Sequence, residues 1–97
     1  MAQTLDDLLD ALEDVDDATR EEASKALAEL AAPTTLDSLI GACGDEYWTV
    51  RAHAGWGVAR IGGPKAVEAL ITLFNDSIME VRNDAVAAMA SMDHGIA

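Results

Sequence analysis

Apolar residues recur three and four positions apart in six stretches of the chain, and short polar segments separate these stretches. This spacing places the apolar side chains on one face of a helix, so each stretch is predicted to be an amphipathic helix. The predicted helices cover approximately residues 4–13, 17–31, 34–43, 48–61, 65–74 and 78–92. In the first, third and fifth helices the predicted buried stripes are Leu5, Leu8, Leu9 and Leu12; Leu36, Leu39, Ile40 and Cys43; and Val67, Leu70, Ile71 and Phe74. In the other three helices the apolar positions are 23, 26, 27 and 30, then 54, 57, 58 and 61, then 85, 88, 89 and 92.

The same pattern returns every 31 residues without a gap. Aligning residues 1–31, 32–62 and 63–97 places Arg20, Arg51 and Arg82 in one column and Asp14, Asp45 and Asp76 in another. A period of this length is typical of stacked supersecondary units. The sequence therefore predicts a single domain over residues 1–97, built from three hairpins whose neighbouring helices are antiparallel because the connections are short.

The composition favours an all-α fold. Hydrophobic residues make up 51% of the chain, aromatic residues only 4%, and there are two prolines. Ala and Leu dominate the hydrophobic set, and both are strong helix formers. No run of alternating β-branched residues indicates a strand. The predicted fold class is an α-solenoid of three helical hairpins and six helices.

The charge excludes some classes of partner. The net charge is −12, from 18 acidic and 6 basic residues. Residues 1–31 carry ten acids against Arg20 and Lys25, a net of −8. Nucleic acids and anionic membranes attract basic surfaces, so neither is an expected partner. A high acid load with few lysines is also typical of salt-adapted, halophilic proteins.

The cysteine content and the apolar runs indicate a cytoplasmic protein. Cys43 is the single cysteine, so no disulfide framework is predicted. The segment 1–14 is acidic and amphipathic, unlike a signal peptide, which has a basic start and an apolar centre. No apolar run approaches the roughly 20 residues of a membrane span. We therefore expect a reducing, cytoplasmic environment.

Three segments carry a resemblance to a known family. Residues 50–62 begin with Val-Arg, continue as an Ala-rich helix and end with Ile-Gly; residues 66–70 then begin a new helix with Ala-Val. Residues 81–92 match the first part again, whereas Thr19-Arg20 keeps only the arginine. The chain resembles the HEAT-like repeats of the phycocyanobilin-lyase type. The resemblance implies a right-handed stack of helical hairpins. Its members serve as lyase subunits, hydroxylases and plain adaptors.

The resemblance also implies a role for the aspartate and arginine columns. Repeats of this type use such residues as a ladder of hydrogen bonds through the turns of successive units. The expected members are Asp14, Arg20, Asp45, Arg51, Asp76 and Arg82. A carboxylate accepts the N–H groups exposed at helix starts, and a guanidinium offers five donors in a rigid fork. We expect Arg51 in the central repeat to contact carboxylates on both sides. The rival interpretation is a catalytic acid–base site, but a residue repeated in every unit usually serves the unit.

The sequence predicts neither a catalytic residue nor a metal or cofactor site. His53 and His94 are too isolated to form a metal pair, and the hydroxylase-type His-Glu motif does not occur. The acidic segment 14–19 lacks the Asp, Asn and Gly positions of a calcium loop. Residues 62–65 lack the spaced glycines of a phosphate loop. Cys43 is expected to be a buried small hydrophobe, and the protein is not expected to be an enzyme.

One helix face departs from the repeat pattern. His53, Trp56 and Arg60 replace Glu22, Lys25 and Glu29 of the first repeat and lie on one face of the fourth helix. We expect this face to be the solvent side that lines the concave surface, where Trp and Arg are frequent binding hot spots. The alternative is that Trp56 packs over neighbouring alanines and only fills space. Two further aromatic residues, Tyr47 and Trp48, either belong to the core near the turn or extend the same surface.

The last predicted helix, 78–92, is apolar on more than one side. We expect Val86, Met89 and Met92 to mediate self-association, most simply as a two-fold homodimer. Taken together, these features predict a non-catalytic scaffold that binds another protein on its concave face. The alternative is an auxiliary subunit of a bilin lyase-type system that attaches or detaches a chromophore. A third hypothesis is an acidic decoy for a basic surface.

Overall fold

The structure is a computed structural model that describes residues 3–92. This part of the chain contains six α-helices and one short 3-10 turn, Pro33–Thr35. The helices are α1 (Leu5–Ala11), α2 (Asp17–Leu30), α3 (Leu36–Ala42), α4 (Trp48–Ile61), α5 (Pro64–Leu73) and α6 (Met79–Ser91). Residues 3–92 form no strand. The predicted fold class, an all-α solenoid of helical hairpins, is confirmed.

The helices form two layers. The longer helices α2, α4 and α6 pack side by side, and the shorter helices α1, α3 and α5 each pack against the long helix that follows them. Helix α4 lies at the centre and contacts α2, α3, α5 and α6. The described residues measure 42 × 29 × 17 Å, so the stack is elongated and thin. This arrangement leaves one face of α2 and α4 available as a shared surface.

The core lies between the two layers. Its largest fully buried apolar side chains are Leu27, Leu39, Leu70, Val50, Val58 and Val81. The predicted stripe of α5 is wrong by one position, because the buried residues of this helix are Ala66, Ala69, Leu70 and Leu73. Ile71 is consequently 50% exposed, whereas Leu73 is 2% exposed. Leu30 was also predicted to be buried, but it is the last residue of α2 and points largely into solvent.

Each hairpin turn has the same hydrogen bonds. The carboxylates of Asp14, Asp45 and Asp76 accept the N–H two residues later, at 2.9, 2.8 and 2.9 Å. The carbonyl oxygens of the same three aspartates accept from the guanidinium six residues later, at 2.8, 2.7 and 2.7 Å. In each hairpin, the carboxylate and the carbonyl oxygen of a single aspartate therefore fix the turn and the start of the long helix that follows it.

Between repeats, the guanidinium groups of Arg20 and Arg51 each reach the aspartate of the next repeat. Arg20 donates to both carboxylate oxygens of Asp45 at 2.9 and 3.2 Å. Arg51 donates to both oxygens of Asp76 at 2.7 and 3.0 Å. We call each of these bidentate pairs a rung. Bidentate Arg–carboxylate pairs are among the strongest hydrogen bonds in proteins, and both arginine side chains are largely buried.

The contacts of Arg51 correct one expectation. Arg51 contacts the carboxylate of Asp76 on one side but only the carbonyl oxygens of Asp45 and Glu46 on the other. The carboxylate of Asp45 is already occupied, because Arg20 and the N–H of Tyr47 donate to it. Arg20 and Arg51 therefore each donate to the carboxylate of the next repeat's aspartate and to the carbonyl oxygen of the aspartate in their own turn.

The rungs alter the acidity of their members. The hydrogen bond from Arg20 to Asp45 raises the pKa of the Arg20 guanidinium above its usual value. Burial by itself would raise the pKa of the Asp76 carboxyl. The hydrogen bonds from Arg51 and from the N–H of Ile78 outweigh burial and hold that pKa below its usual value of 3.8. Asp76 is thus ionised in the folded protein at neutral pH.

The lowered pKa of Asp76 predicts a pH-dependent contribution to stability. In acid the unfolded chain binds a proton at Asp76 before the folded chain does, so this contribution is present above pH 3.8 and is lost as pH falls through the lower folded pKa. We expect the stability difference between the wild type and Asp76→Asn, measured by urea unfolding, to narrow below this pH. Asp10→Asn removes the same charge from an exposed position outside the turns and serves as the control. A difference that does not change between neutral and acidic pH contradicts the prediction.

Candidate functional site

A shallow groove runs between α2 and α4, and a glycine lets these helices approach closely. A Cβ atom at Gly57 would lie 2.9 Å from Cδ1 of Leu39 and 3.2 Å from the Cα of Ala28. A methyl group at this point therefore requires the Leu39 side chain to move and the backbone of α2 to shift by a few tenths of an ångström. The larger side chains of α4 on this side are Trp56 and Arg60, which lie beside α2.

One end of the groove is apolar with a basic rim. A depression of about 210 Å³ is lined there by Lys25, Ala28, Glu29, His53, Trp56 and Arg60. Trp56 is half-buried and packs against the core. Arg60 is exposed and donates a hydrogen bond from Nη2 to the carbonyl oxygen of Glu29 at 3.4 Å. This contact holds the guanidinium beside the indole at the end of the groove.

The other end of the groove is acidic. A depression of about 500 Å³ is lined by Asp16, Ala18, Thr19, Glu21, Glu22, Lys25 and His53. The side-chain and backbone hydrogen bonds from Thr19 lower the pKa of Asp16, so this carboxyl is ionised at neutral pH. His53 lies between the two ends, with Nε2 3.9 Å from a carboxylate oxygen of Glu21. The groove therefore changes from acidic to apolar and basic along its length.

The structure brings together His53, Trp56 and Arg60 but corrects their environment. All three line the groove between α4 and α2. They were expected on an open, solvent-exposed face, but only Arg60 is exposed, whereas His53 and Trp56 are half-buried. Trp56 partly fills space over the core, which was the alternative interpretation, and its remaining surface forms the wall of the depression.

The other two predicted aromatic residues lie outside the groove. Tyr47 is the residue before α4, is half-buried and packs against the core. Trp48 is the first residue of α4 and is more exposed than Trp56. Neither residue lines the two depressions. Tyr47 therefore belongs to the core near the turn and Trp48 to a separate part of the surface.

The structure also corrects the predicted self-association surface. Val86 is 58% exposed, but Met89 and Met92 are half-buried and pack against the core. The outward face of α6 turns Val86 to solvent together with Asn83 and Ala90. The apolar pattern of α6 did not separate its inner side from its outer side, because small apolar residues occur on both.

Sequence reasoning missed the part of the groove that α2 contributes. Glu22, Lys25 and Glu29 were treated only as the polar background against which His53, Trp56 and Arg60 stood out, and Glu21 was not considered. A usable signal was present in the repeat itself. Stacked repeats place equivalent helices side by side, so residues 21–29 must flank residues 52–60.

Among the described residues there is neither a metal-type cluster of side chains nor an ionised thiol. Residues 3–92 contain no group of three His, Cys, Asp or Glu side chains arranged to hold a metal ion. Burial raises the pKa of the Cys43 thiol to about 12, so this thiol is protonated and a poor nucleophile at neutral pH. None of the helices described is long and apolar enough to cross a membrane.

Comparison with known proteins identifies the family. Residues 5–90 match the family model of the HEAT repeats. Because the match covers nearly the whole chain, the chain belongs to the HEAT repeat family. The resemblance to HEAT-like repeats is thereby confirmed, whereas the phycocyanobilin-lyase subtype stays a prediction. A search of curated proteins found no match.

A solved structure supports the same fold. The chain is similar to an engineered protein whose crystal structure comes from the Northeast Structural Genomics Consortium, with 22% sequence identity and a TM-score of 0.67. The match covers 92% of this chain and 45% of the engineered chain, so this chain spans less than half of that protein's length. At this identity the similarity concerns the fold alone.

The contact between Gly57 and α2 predicts opposite effects of two glycine substitutions. Gly57→Ala should destabilise the protein by about 1–3 kcal/mol, because the added methyl group pushes α4 away from the backbone of α2. Gly41→Ala is the control in α3, where a Cβ meets nothing within 4 Å. It should be neutral or stabilise by up to about 1 kcal/mol, because Ala favours the helix. Urea unfolding of both variants tests this, and equal effects of the two substitutions contradict the close approach.

Proposed function

We propose that this protein is a non-catalytic module that binds another protein in the groove between α2 and α4. The observation that carries the proposal is the position of Trp56, half-buried beside the exposed Arg60 in a depression open to solvent. Trp and Arg are enriched among binding hot spots because they combine a large apolar surface with directional polar groups. HEAT repeats commonly mediate protein–protein interaction, which supports this class of function.

The charges of the groove favour a particular partner surface. An apolar side chain packs against Trp56 and Ala28 at one end, and a Lys or Arg pairs with Glu21, Glu22 or Asp16 at the other. The net charge of −8 on residues 1–31 attracts a basic segment over a longer range and increases its association rate. The partner is thus a segment with basic and apolar residues in sequence, in either helical or extended form.

The other functions predicted from the sequence receive less support. A bilin would be held in a largely enclosed, mainly apolar pocket. The two depressions of the groove are shallow, and several carboxylates line the larger one. The acidic surface disfavours nucleic acid and anionic membrane as partners. A single, buried cysteine is compatible with the proposed cytoplasmic location.

A peptide selection tests the proposed groove. Peptides selected from a random display library against the wild-type protein should combine basic and apolar residues. Trp56→Ala should weaken their binding by about 2 kcal/mol, which is roughly thirtyfold in Kd, because the apolar wall of the depression is removed. Trp48→Ala is the matched control, since it removes a tryptophan that lies outside the groove.

Two further measurements make the test decisive. Circular dichroism must show that Trp56→Ala retains the helical content of the wild type. Glu22→Lys should reduce the affinity for the same peptides and the dependence of that affinity on salt, because it reverses a charge at the acidic end. Peptides that bind Trp56→Ala and the wild type equally well contradict the proposal.

A further inference from the structure

The ladder has one unused half at each end of the described stack. Arg20 and Arg51 each hold a carboxylate of the next repeat, but Arg82 has a single hydrogen-bond partner among residues 3–92, the carbonyl oxygen of Asp76 at 2.7 Å. Asp45 and Asp76 each receive a guanidinium of the preceding repeat. Within the same residues, Asp14 accepts from the N–H of Asp16 and from the turn's own arginine through its carbonyl. One end therefore presents the donor of a rung and the other end its acceptor.

We propose that two copies of this chain associate head to tail, with Arg82 of one copy holding the carboxylate of Asp14 in the next. The rung between copies then has the same members as the two rungs within the chain, in the same order along the stack. The local charge complementarity of Arg82 and Asp14 favours this arrangement over contact between two first repeats. Two first repeats, each with a net charge of −8, repel each other.

The side chains around the unused rung are complementary in size. Within the chain, a Cβ at Gly55 would lie 2.9 Å from Cδ1 of Leu73, so a small residue of one repeat faces a large residue of the next. In the column of Gly55 the last repeat has Val86, and in the column of Leu73 the first repeat has Ala11. Between copies the large residue is therefore on the last repeat and the small residue on the first, the reverse of the Gly55–Leu73 contact. Val86 of one copy can thus pack against Ala11 of the next.

A second contact between long helices follows the same rule. Within the chain, Ala28 of α2 lies against Gly57 of α4. The equivalent pair between copies is Ala90 of α6 and Ala26 of α2, and both residues are small enough for close helix packing. Ala90 is exposed in the single chain, whereas its equivalents Ala28 and Ala59 are buried. The outward face of α6 thus has the shape that the next repeat covers elsewhere in the stack.

Head-to-tail contact differs from a two-fold dimer in its outcome. The two surfaces are unlike, so each added copy leaves one donor end and one acceptor end free, and the series does not stop at two chains. The proposed groove between α2 and α4 stays open in every copy, because the contact uses α6 and the opposite side of α2. Self-association and partner binding are therefore separable.

Sedimentation velocity of complementary variants tests this proposal. Measurements run from micromolar to millimolar protein at moderate salt, which screens the repulsion between chains of net charge −12. The wild type should form a series of oligomers that lengthens with concentration. Asp14→Arg blocks the acceptor end and Arg82→Ala the donor end, so each variant alone should associate at least about tenfold more weakly, and the two substituted ends have no opposite charges that could pair. An equimolar mixture should form a dimer and nothing larger, because only one contact between intact ends is possible.

Three controls keep the result interpretable. Glu68→Arg makes the same change of charge on α5 beside α3 and should associate like the wild type. Asp14→Asn keeps an oxygen for the N–H of Asp16 and replaces Asp14→Arg if the latter unfolds. Val86→Glu should block the donor end without loss of helix, since Val86 is already exposed. The proposal is overturned if the wild type remains monomeric at all concentrations. It is also overturned if the wild type forms a dimer and nothing larger, and Asp14→Arg forms the same dimer equally well.

Discussion

The stack depends on a carboxylate that two repeats share. Asp45 receives the guanidinium of Arg20 from the preceding repeat while it accepts the N–H of Tyr47, the residue before its own long helix, and Asp76 does the same with Arg51 and Ile78. Arg20 and Arg51 also donate to the carbonyl oxygen of the aspartate in their own hairpin turn. These buried charges are paired and saturated with hydrogen bonds, which is the condition under which such groups are tolerated inside a protein. The rungs fix the register of one hairpin on the next.

The groove follows from this register. With the turns locked together, α4 lies so close to α2 that a Cβ at position 57 would be only 3.2 Å from the Cα of Ala28. The same approach brings Lys25 and Glu29 of α2 to the edge of Trp56 on α4. A surface that no single repeat possesses is thereby made from two equivalent helices. The binding role proposed for this surface rests on three residues of the central repeat that differ from their equivalents in the first, His53, Trp56 and Arg60.

The architecture was well predicted from the sequence because the same pattern of apolar and turn residues occurs in all three repeats. Every end of the six helices lies within two residues of the predicted range, since period, turn residues and apolar spacing all agree. The burial of Leu73 in place of Ile71 was not predictable from one stripe. Rotation of a short helix by one residue changes the buried set while preserving the apolar spacing.

The contacts of the candidate site were less predictable than the elements that carry it. Trp56 was correctly placed on one face with His53 and Arg60, but its half-buried state depends on how closely α2 approaches. Arg51 does not contact the carboxylate of Asp45, because this carboxylate already accepts hydrogen bonds from Arg20. Burial and hydrogen-bond partners of this kind depend on how two helices pack together. Aligning the repeats compares equivalent positions but does not show these contacts.

A double-mutant cycle between Arg51 and Asp76 tests the central role of the rungs most directly. Urea unfolding of Arg51→Ala, Asp76→Ala and the double variant should give a coupling energy of about 1 kcal/mol or more. The parallel cycle of Arg82 with Asp76 is the control, because Arg82 donates to the carbonyl of Asp76 and not to its carboxylate. A large coupling for Arg51 and a small one for Arg82 is the result that this account predicts. Additive losses at Arg51 and Asp76 would show that the repeats are held in register by apolar packing alone.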